Sequence, residues 1–222
     1  VALLAAPCLA EDAKTCDSKA CASKACSAEE CAGLACQGQG CPIEAAMANL
    51  PKLTYLVGDS ETCCSDSAAK LSDEHKTAIK YVLAKQTFDD QSEATLALAE
   101  ATEKFVNEFA APSKCEVSGK VTVAGKELCC SEMAAERAAL VKKAMDTVAM
   151  TYLVGDEECA CPNQAASLAK ESGKDKLFVV AGEKTCCNVD ARLKLARAQY
   201  RAAVAAVAKA DSETQLKEVS IQ

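Results

Sequence analysis

The sequence predicts an α/β or α+β fold of internally duplicated strand–helix–strand–helix units in two packed lobes, behind a Cys-rich irregular N-terminal segment. Three observations predict it. Thr54-Tyr-Leu-Val-Gly-Asp59 recurs as Thr151-Tyr-Leu-Val-Gly-Asp156, and the register then holds at an offset of 97 without a gap. Cys64 meets Cys161, Leu71 meets Leu168, Val82 meets Val179, and Leu96 and Leu98 meet Leu193 and Leu195. Short apolar runs closed by turn residues alternate with longer stretches of helical apolar spacing, the pattern of a layered body. Residues 11–42, by contrast, contain almost no large apolar side chain beyond Leu34.

The divisions follow. Residues 1–10 read as a signal-peptide remnant or hydrophobic N-terminus, and 11–45 as a Cys-x4-Cys repeat segment. Residues 46–112 form the first lobe, 113–150 an extra half-repeat with a long helix, 151–210 the second lobe and 211–222 a C-terminal tail. The extra half announces itself because Val123-Ala-Gly-Lys-Glu-Leu-Cys-Cys130 matches Val180-Ala-Gly-Glu-Lys-Thr-Cys-Cys187.

Within the first lobe, Tyr55-Leu-Val-Gly58 is an apolar run ended by Gly, a buried strand, with Gly58-Asp59 as its turn. Residues 63–72 form a short Ala/Leu/Lys helix, and Ile79–Leu83 a second strand. Asp90-Gln-Ser-Glu93 resembles a capping box and opens a long helix, with Leu96, Phe105 and Phe109 as its candidate buried face. In the extra half, Lys120–Val123 is a strand and Ser131 caps a helix running to about Met150. The second lobe repeats the first. Tyr152–Gly155 is a strand closed at Gly155-Asp156, 161–171 a helix with Pro162 in its first turn, and Leu177–Val180 a strand. Asn188 or Asp190 starts the last helix, with Leu193, Ala196, Tyr200, Val204 and Val207 at helical spacing. The equivalent long helices carry opposite charge, net −5 over Asp89–Phe109 and +4 over Asn188–Lys209. They are either two solvated faces or an acidic helix docked on a basic one, within the chain or head-to-tail between chains.

Composition narrows function. Of 222 residues, 16 are Cys, one is His, none is Trp and 4% are aromatic; 45 are Ala, so the core is built from small side chains with Leu and Val. A single His (His75, in the polar run Ser72-Asp-Glu-His-Lys76) excludes zincin motifs, c-type haem attachment and His-based catalytic triads within one chain. His75 itself reads as a solvated loop or helix end. A net charge of −7 with few aromatics argues against nucleic acid as a partner. The apolar run Val1–Ala6 is far too short for a transmembrane span. Cys8-Leu9-Ala10 offers small residues suited to signal cleavage before Glu11, so a secreted, extracellular or cell-surface location is expected, with the periplasm as a variant. At that location disulfides are the ordinary state of cysteine.

The cysteines fall into two sets. Cys16, Cys21, Cys26, Cys31, Cys36 and Cys41 are spaced by five, a step that gathers thiols on one side of neither helix nor strand. They read as a stapled tail, a disordered tail, a strap crosslinking neighbouring chains or a thiolate cluster. The body holds Cys63, Cys64, Cys115, Cys129, Cys130, Cys159, Cys161, Cys186 and Cys187, an odd number, so in oxidising surroundings at least one stays free or bonds outside the body. Adjacent Cys residues rarely bond to each other, so each pair would send links in different directions. All fifteen are disulfide or crosslink candidates. In the first lobe Asp89-Asp90 stands where Cys186-Cys187 stands in the second, so the scaffold does not require that pair.

Two other chemistries compete. Cys115-Glu-Val-Ser-Gly-Lys120, Val123-Ala-Gly-Lys126 and Cys129-Cys130 before a helix resemble YHS/TRASH heavy-metal modules over about residues 115–137. The resemblance implies Cys115, Cys129 and Cys130 as soft-metal thiolates. The chain lacks that family's aromatic pair after Gly-Lys, and its second Cys pair is adjacent instead of spaced. In this metal reading, copper or zinc is the cofactor and Cys159 and Cys161 are further candidate ligands. The second chemistry is thiol–disulfide exchange: Tyr152–Gly155, Cys159-Ala-Cys161-Pro162 and a helix follow the strand–cysteines–helix order of glutaredoxin-like proteins, though with C-x-C spacing. The expectation is therefore a secreted, non-enzymatic structural protein without cofactor, disulfide-stabilised and assembling with itself into a filament or surface layer through its Cys-rich strap. Soft-metal binding is the alternative and redox exchange the third reading.

Overall fold

The computed structural model describes residues 41–219, with side chains to residue 214. Residues 1–10, expected to be an export segment, and Cys16, Cys21, Cys26, Cys31 and Cys36 lie outside the described residues. The described residues open with helix α1 (Pro42–Met47) and continue with hairpin β1 (Leu53–Val57) and β2 (Ser60–Thr62), then helix α2 (Ser65–His75). Hairpin β3 (Ile79–Leu83) and β4 (Gln86–Phe88) leads into helix α3 (Gln91–Ala110). The extra half contributes β5 (Ser113–Lys114), β6 (Val121–Val123), β7 (Lys126–Leu128) and α4 (Ser131–Asp146). The second lobe comprises β8 (Met150–Val154), β9 (Glu157–Cys159), α5 (Pro162–Ser172), β10 (Lys176–Val180), β11 (Glu183–Thr185) and α6 (Asn188–Val219).

The mixed α/β class is as expected, and every strand pairing in it is antiparallel. The sheets run β2-β1-β3-β4, β11-β10-β8-β9 and β5-β6-β7. The duplication extends to single contacts. Tyr55 pairs Tyr81 and Tyr152 pairs Phe178 across the central strands, with ring centroids 5.8 and 5.6 Å apart. Thr54 Oγ1 donates to Glu61 and Thr151 Oγ1 to Glu158, each at 2.6 Å. The left-handed end of α2 at Lys76 corresponds to that of α5 at Gly173.

Helix α6 joins the parts, packing on α1, α3 and α4 and on strand β10. Its stripe Leu193, Ala196, Tyr200, Val204 and Val207 is buried as its spacing predicts. Tyr200 meets Phe105 and Phe109 edge-on, at 5.4 and 4.9 Å, in a cluster with Ile43, Leu50 and Val106. The acidic and basic helices dock within the chain: Arg192 donates from Nε and Nη2 to the two carboxylate oxygens of Glu103, at 2.8 and 2.7 Å.

Four expectations need correction. Leu96 is 38% exposed, because the buried face of α3 is Ala94, Leu98, Ala99, Thr102 and Val106. Cys130, not Ser131, is the N-cap of α4, and the helix stops at Asp146, where the Thr147 hydroxyl turns back to the Ala144 carbonyl. Residues beyond 210 are not a tail up to Val219 but the continuation of α6. Asp211 there receives Arg137 Nη1 and Nη2 at 3.0 and 3.1 Å and Lys126 Nζ at 2.7 Å. The short second arm of each hairpin was not foreseen.

Candidate functional site

The cysteines lie on a repeated frame finer than the 97-residue duplication. Five windows of equal length, Val57–Ala68, Leu83–Ala94, Val123–Ala134, Val154–Ala165 and Val180–Ala191, have the same local structure. Each begins with a buried aliphatic residue at a strand end, turns through two loop residues and returns along a three-residue arm. The first loop residue has positive φ every time, at Gly58, Ala84, Ala124, Gly155 and Ala181, which suits the twist of a two-residue hairpin. Two junction residues follow, and the second is the N-cap of a helix whose fourth residue is a fully or almost fully buried Ala (Ala68, Ala94, Ala134, Ala165 and Ala191). In all five, that Ala N–H donates to the carbonyl of the N-cap residue, at 3.0–3.3 Å. A small side chain is required where the helix crosses its own hairpin.

The junction residues are Cys63-Cys64, Asp89-Asp90, Cys129-Cys130, Ala160-Cys161 and Cys186-Cys187, with Cys159 one place earlier in the fourth. Seven of the nine body cysteines therefore occupy one structural place, the entry to a helix, and Cys159 ends the strand arm just before it. The ninth, Cys115, opens the loop between β5 and β6, where Gly119 N–H returns to its carbonyl at 2.9 Å. The nine carry free thiols; Cys64 and Cys159 are half-buried and the other seven exposed. Cys41 occupies the corresponding N-cap of α1.

Cysteine is a poor choice for this place on stability grounds. Asp90, in the junction without thiols, caps α3 by accepting from Ser92 and Glu93 N–H at 2.8 and 3.0 Å. The side chains of Cys64, Cys130 and Cys161 close no such capping bond. Asp, Asn, Ser and Thr are favoured N-caps, and losing one costs about 0.5–2 kcal/mol. The local environment favours ionisation at two of the thiols. The Ser67 N–H and hydroxyl and the Asp66 N–H face the Cys64 sulfur and hold that thiol below its ordinary range, against slight burial and the Asp66 charge. At Cys115 the Ser118 hydroxyl and N–H and the Val117 N–H do the same, opposed by desolvation and Glu127.

The structure closes no disulfide among these nine cysteines. Lys114, Val121 and Leu128 lie in one cross-strand row, which puts a full strand between the stretches entering Cys115 and Cys129. Two strand spacings amount to about 10 Å, beyond disulfide reach. Among the described residues no group of three or more His, Cys, Asp or Glu side chains is gathered to hold a metal. Cys159 Sγ faces the carbonyl oxygen of Cys161, at 3.9 Å. The structure does bring Cys129 Sγ to 3.7 Å from the thioether of Met133, a residue not considered from the sequence. The sequence signal for the frame was present, since an offset of 26 aligns Val57–Ala68 with Leu83–Ala94, but Cys-Cys against Asp-Asp masks it.

Among the described residues no helix is long and apolar enough to cross a membrane. The chain matches no protein-family model, no curated protein and no solved structure.

Proposed function

We propose that this chain is an exported, non-enzymatic binder of soft, thiophilic metal ions of the Cu(I) class, with its cysteines displayed on a repeated hairpin–helix scaffold. One observation carries the reading. Four of five equivalent junctions place cysteine at the mouth of a helix, in positions where Asp90 makes the better cap and where the fold stands without thiols. Residues that weaken local stability and recur at one exposed place are the mark of function rather than of packing. The positive end of a helix favours thiolate over thiol, and thiolates are the preferred ligands of soft ions. Adjacent thiols offer two donors, which suits a low-coordinate ion such as Cu(I) better than the four-donor cage of structural zinc. Each thiol that binds releases one proton.

The test is titration of the reduced full chain with Cu(I) against a chromophoric Cu(I) chelator, without oxygen. The expected result is more than one Cu(I) per chain. Replacing Cys63, Cys64, Cys129, Cys130, Cys186 and Cys187 by Ser should abolish most of that binding while the far-UV circular dichroism stays the same. Binding no tighter than to the buffer, or undiminished in the Ser variant, would sink the proposal. A second reading, disulfide-linked self-assembly into a filament or layer, is favoured by the seven exposed thiols without a bonded partner. It requires a ladder on non-reducing gels that collapses under reductant.

A further inference from the structure

The α4 junction carries an apolar, sulfur-bearing side chain where the other four carry polar ones. The residue before the buried Ala is Met133, where the equivalents are Ser67, Glu93, Gln164 and Asp190. Met133 is 47% exposed, one of three large apolar side chains left so open among the described residues. Packing does not account for it, because α4 buries Ala134 and Val141. What Met133 does touch is sulfur: its Sδ lies 3.7 Å from Cys129 Sγ, with Cys130 next along the chain and also exposed.

Two polarizable sulfurs are thus held side by side at the surface, and the exposed Cys130 is the next residue along the chain. With metal–sulfur bonds of about 2.3 Å, sulfurs this far apart subtend roughly 110° at an ion, which leaves room for a third donor. A thioether is neutral and soft. It adds affinity for Cu(I) and little for zinc, which takes thiolate, imidazole or carboxylate. We infer that Cys129, Met133 and Cys130 form a mixed thiolate–thioether site selective for Cu(I) over zinc. The inference rests on the metal-binding reading above and assigns its tightest and most selective site. On binding, Cys129 and Cys130 give up their protons to solvent and Met133 contributes a lone pair, so no electron changes hands.

The experiment uses the reduced, oxygen-free full chain and the variants Met133→Leu, Cys129→Ser and, as a control at an exposed apolar residue outside the junctions, Leu96→Ala. Each is titrated with Cu(I) and, separately, with Zn(II) against chromophoric chelators. Met133→Leu keeps the size and helix preference of the side chain at an exposed position, so the fold should be retained, as circular dichroism will check. The expected result is that Met133→Leu and Cys129→Ser weaken the tightest Cu(I) site by about tenfold or more, in line with ligand-shell losses of roughly 10–100-fold. Zn(II) affinity should not respond to Met133→Leu, and the tightest Cu(I) site should not respond to Leu96→Ala. If Met133→Leu binds Cu(I) as tightly as the parent, or loses Zn(II) affinity in equal proportion, the selective site is wrong while the general reading survives. If the parent binds no Cu(I), both fall.

Discussion

Cys64 and Asp90 hold equivalent positions and serve their helices in opposite ways. Asp90 gives its carboxylate to two N–H groups of α3, whereas at Cys64 the corresponding groups of α2 act on the sulfur and favour its thiolate. The consequence is measurable as reactivity. A lowered thiol pKa enlarges the thiolate fraction at neutral pH, and the thiolate is the nucleophile. The rate of Cys64 alkylation against pH, resolved by peptide mass spectrometry, should have its midpoint below that of an unperturbed thiol. Ser67→Ala should move that midpoint upward, because it deletes the hydroxyl and leaves the Ser67 and Asp66 N–H groups in place. Ser118→Ala should do the same at Cys115, where the hydroxyl is the leading cause. A midpoint that stays put in both variants would remove the local account of thiolate stabilisation. None of this was legible in the sequence, since Ser67 and Ser118 gain meaning only when a turn points them at a sulfur.

At the scale of the element, the hairpin–helix unit depends on its alanine. Ala165 has no exposed surface where α5 crosses the β8–β9 hairpin, whereas Ala45 sits at the same place in α1, which has no such hairpin packed behind it, and is exposed. Ala165→Leu should therefore overpack the crossing and cost about 1–3 kcal/mol, and Ala45→Leu should be close to neutral. Chemical denaturation of the two variants decides it, and equal effects would refute the crossing argument. The same reliance on small residues explains what the sequence concealed. Leu96 looked like core because it is large and apolar, but α3 buries the run Ala94, Leu98, Thr102 and Val106, four residues apart, with two small members. The second hairpin arms, such as Ser60-Glu-Thr62 and Glu183-Lys-Thr185, present mostly exposed polar side chains and carry no apolar alternation to betray a strand. The long strands and the α6 stripe were legible because burial there is carried by Val, Leu, Phe and Tyr at regular spacing. Cys130 was overlooked as a cap because Ser131, beside it, is the better-known capping residue.

For the whole molecule the question is what holds the two lobes and the inserted half together, and the answer contains little sulfur. Among the described residues the buried ones are aliphatic, alanine and aromatic apart from Thr102, with no cysteine among them, and Cys41 and Cys159 only flank the clusters. The 97-residue duplication and the charge contrast between α3 and α6 could be read from the sequence. That the two helices meet through Glu103 and Arg192, and that α6 also gathers α1 and α4, could not, because no local pattern records which helix faces which. A fold stabilised by this core should melt at the same temperature with and without excess reductant, and after alkylation of its thiols. A disulfide-stapled body behaves otherwise: each bridge is worth about 2–4 kcal/mol, and for a chain of this size each kcal/mol shifts the midpoint by roughly 2–4 °C. Tyr200→Ala supplies the contrast, since it empties the place where α1, α3 and α6 converge and should cost about 3–5 kcal/mol in either redox state. A midpoint that falls by many degrees under reductant, with Tyr200→Ala mild beside it, would return the cysteines to a structural role and with it the reading of a crosslinked assembly. An unchanged midpoint leaves them as surface chemistry on a scaffold that stands without them.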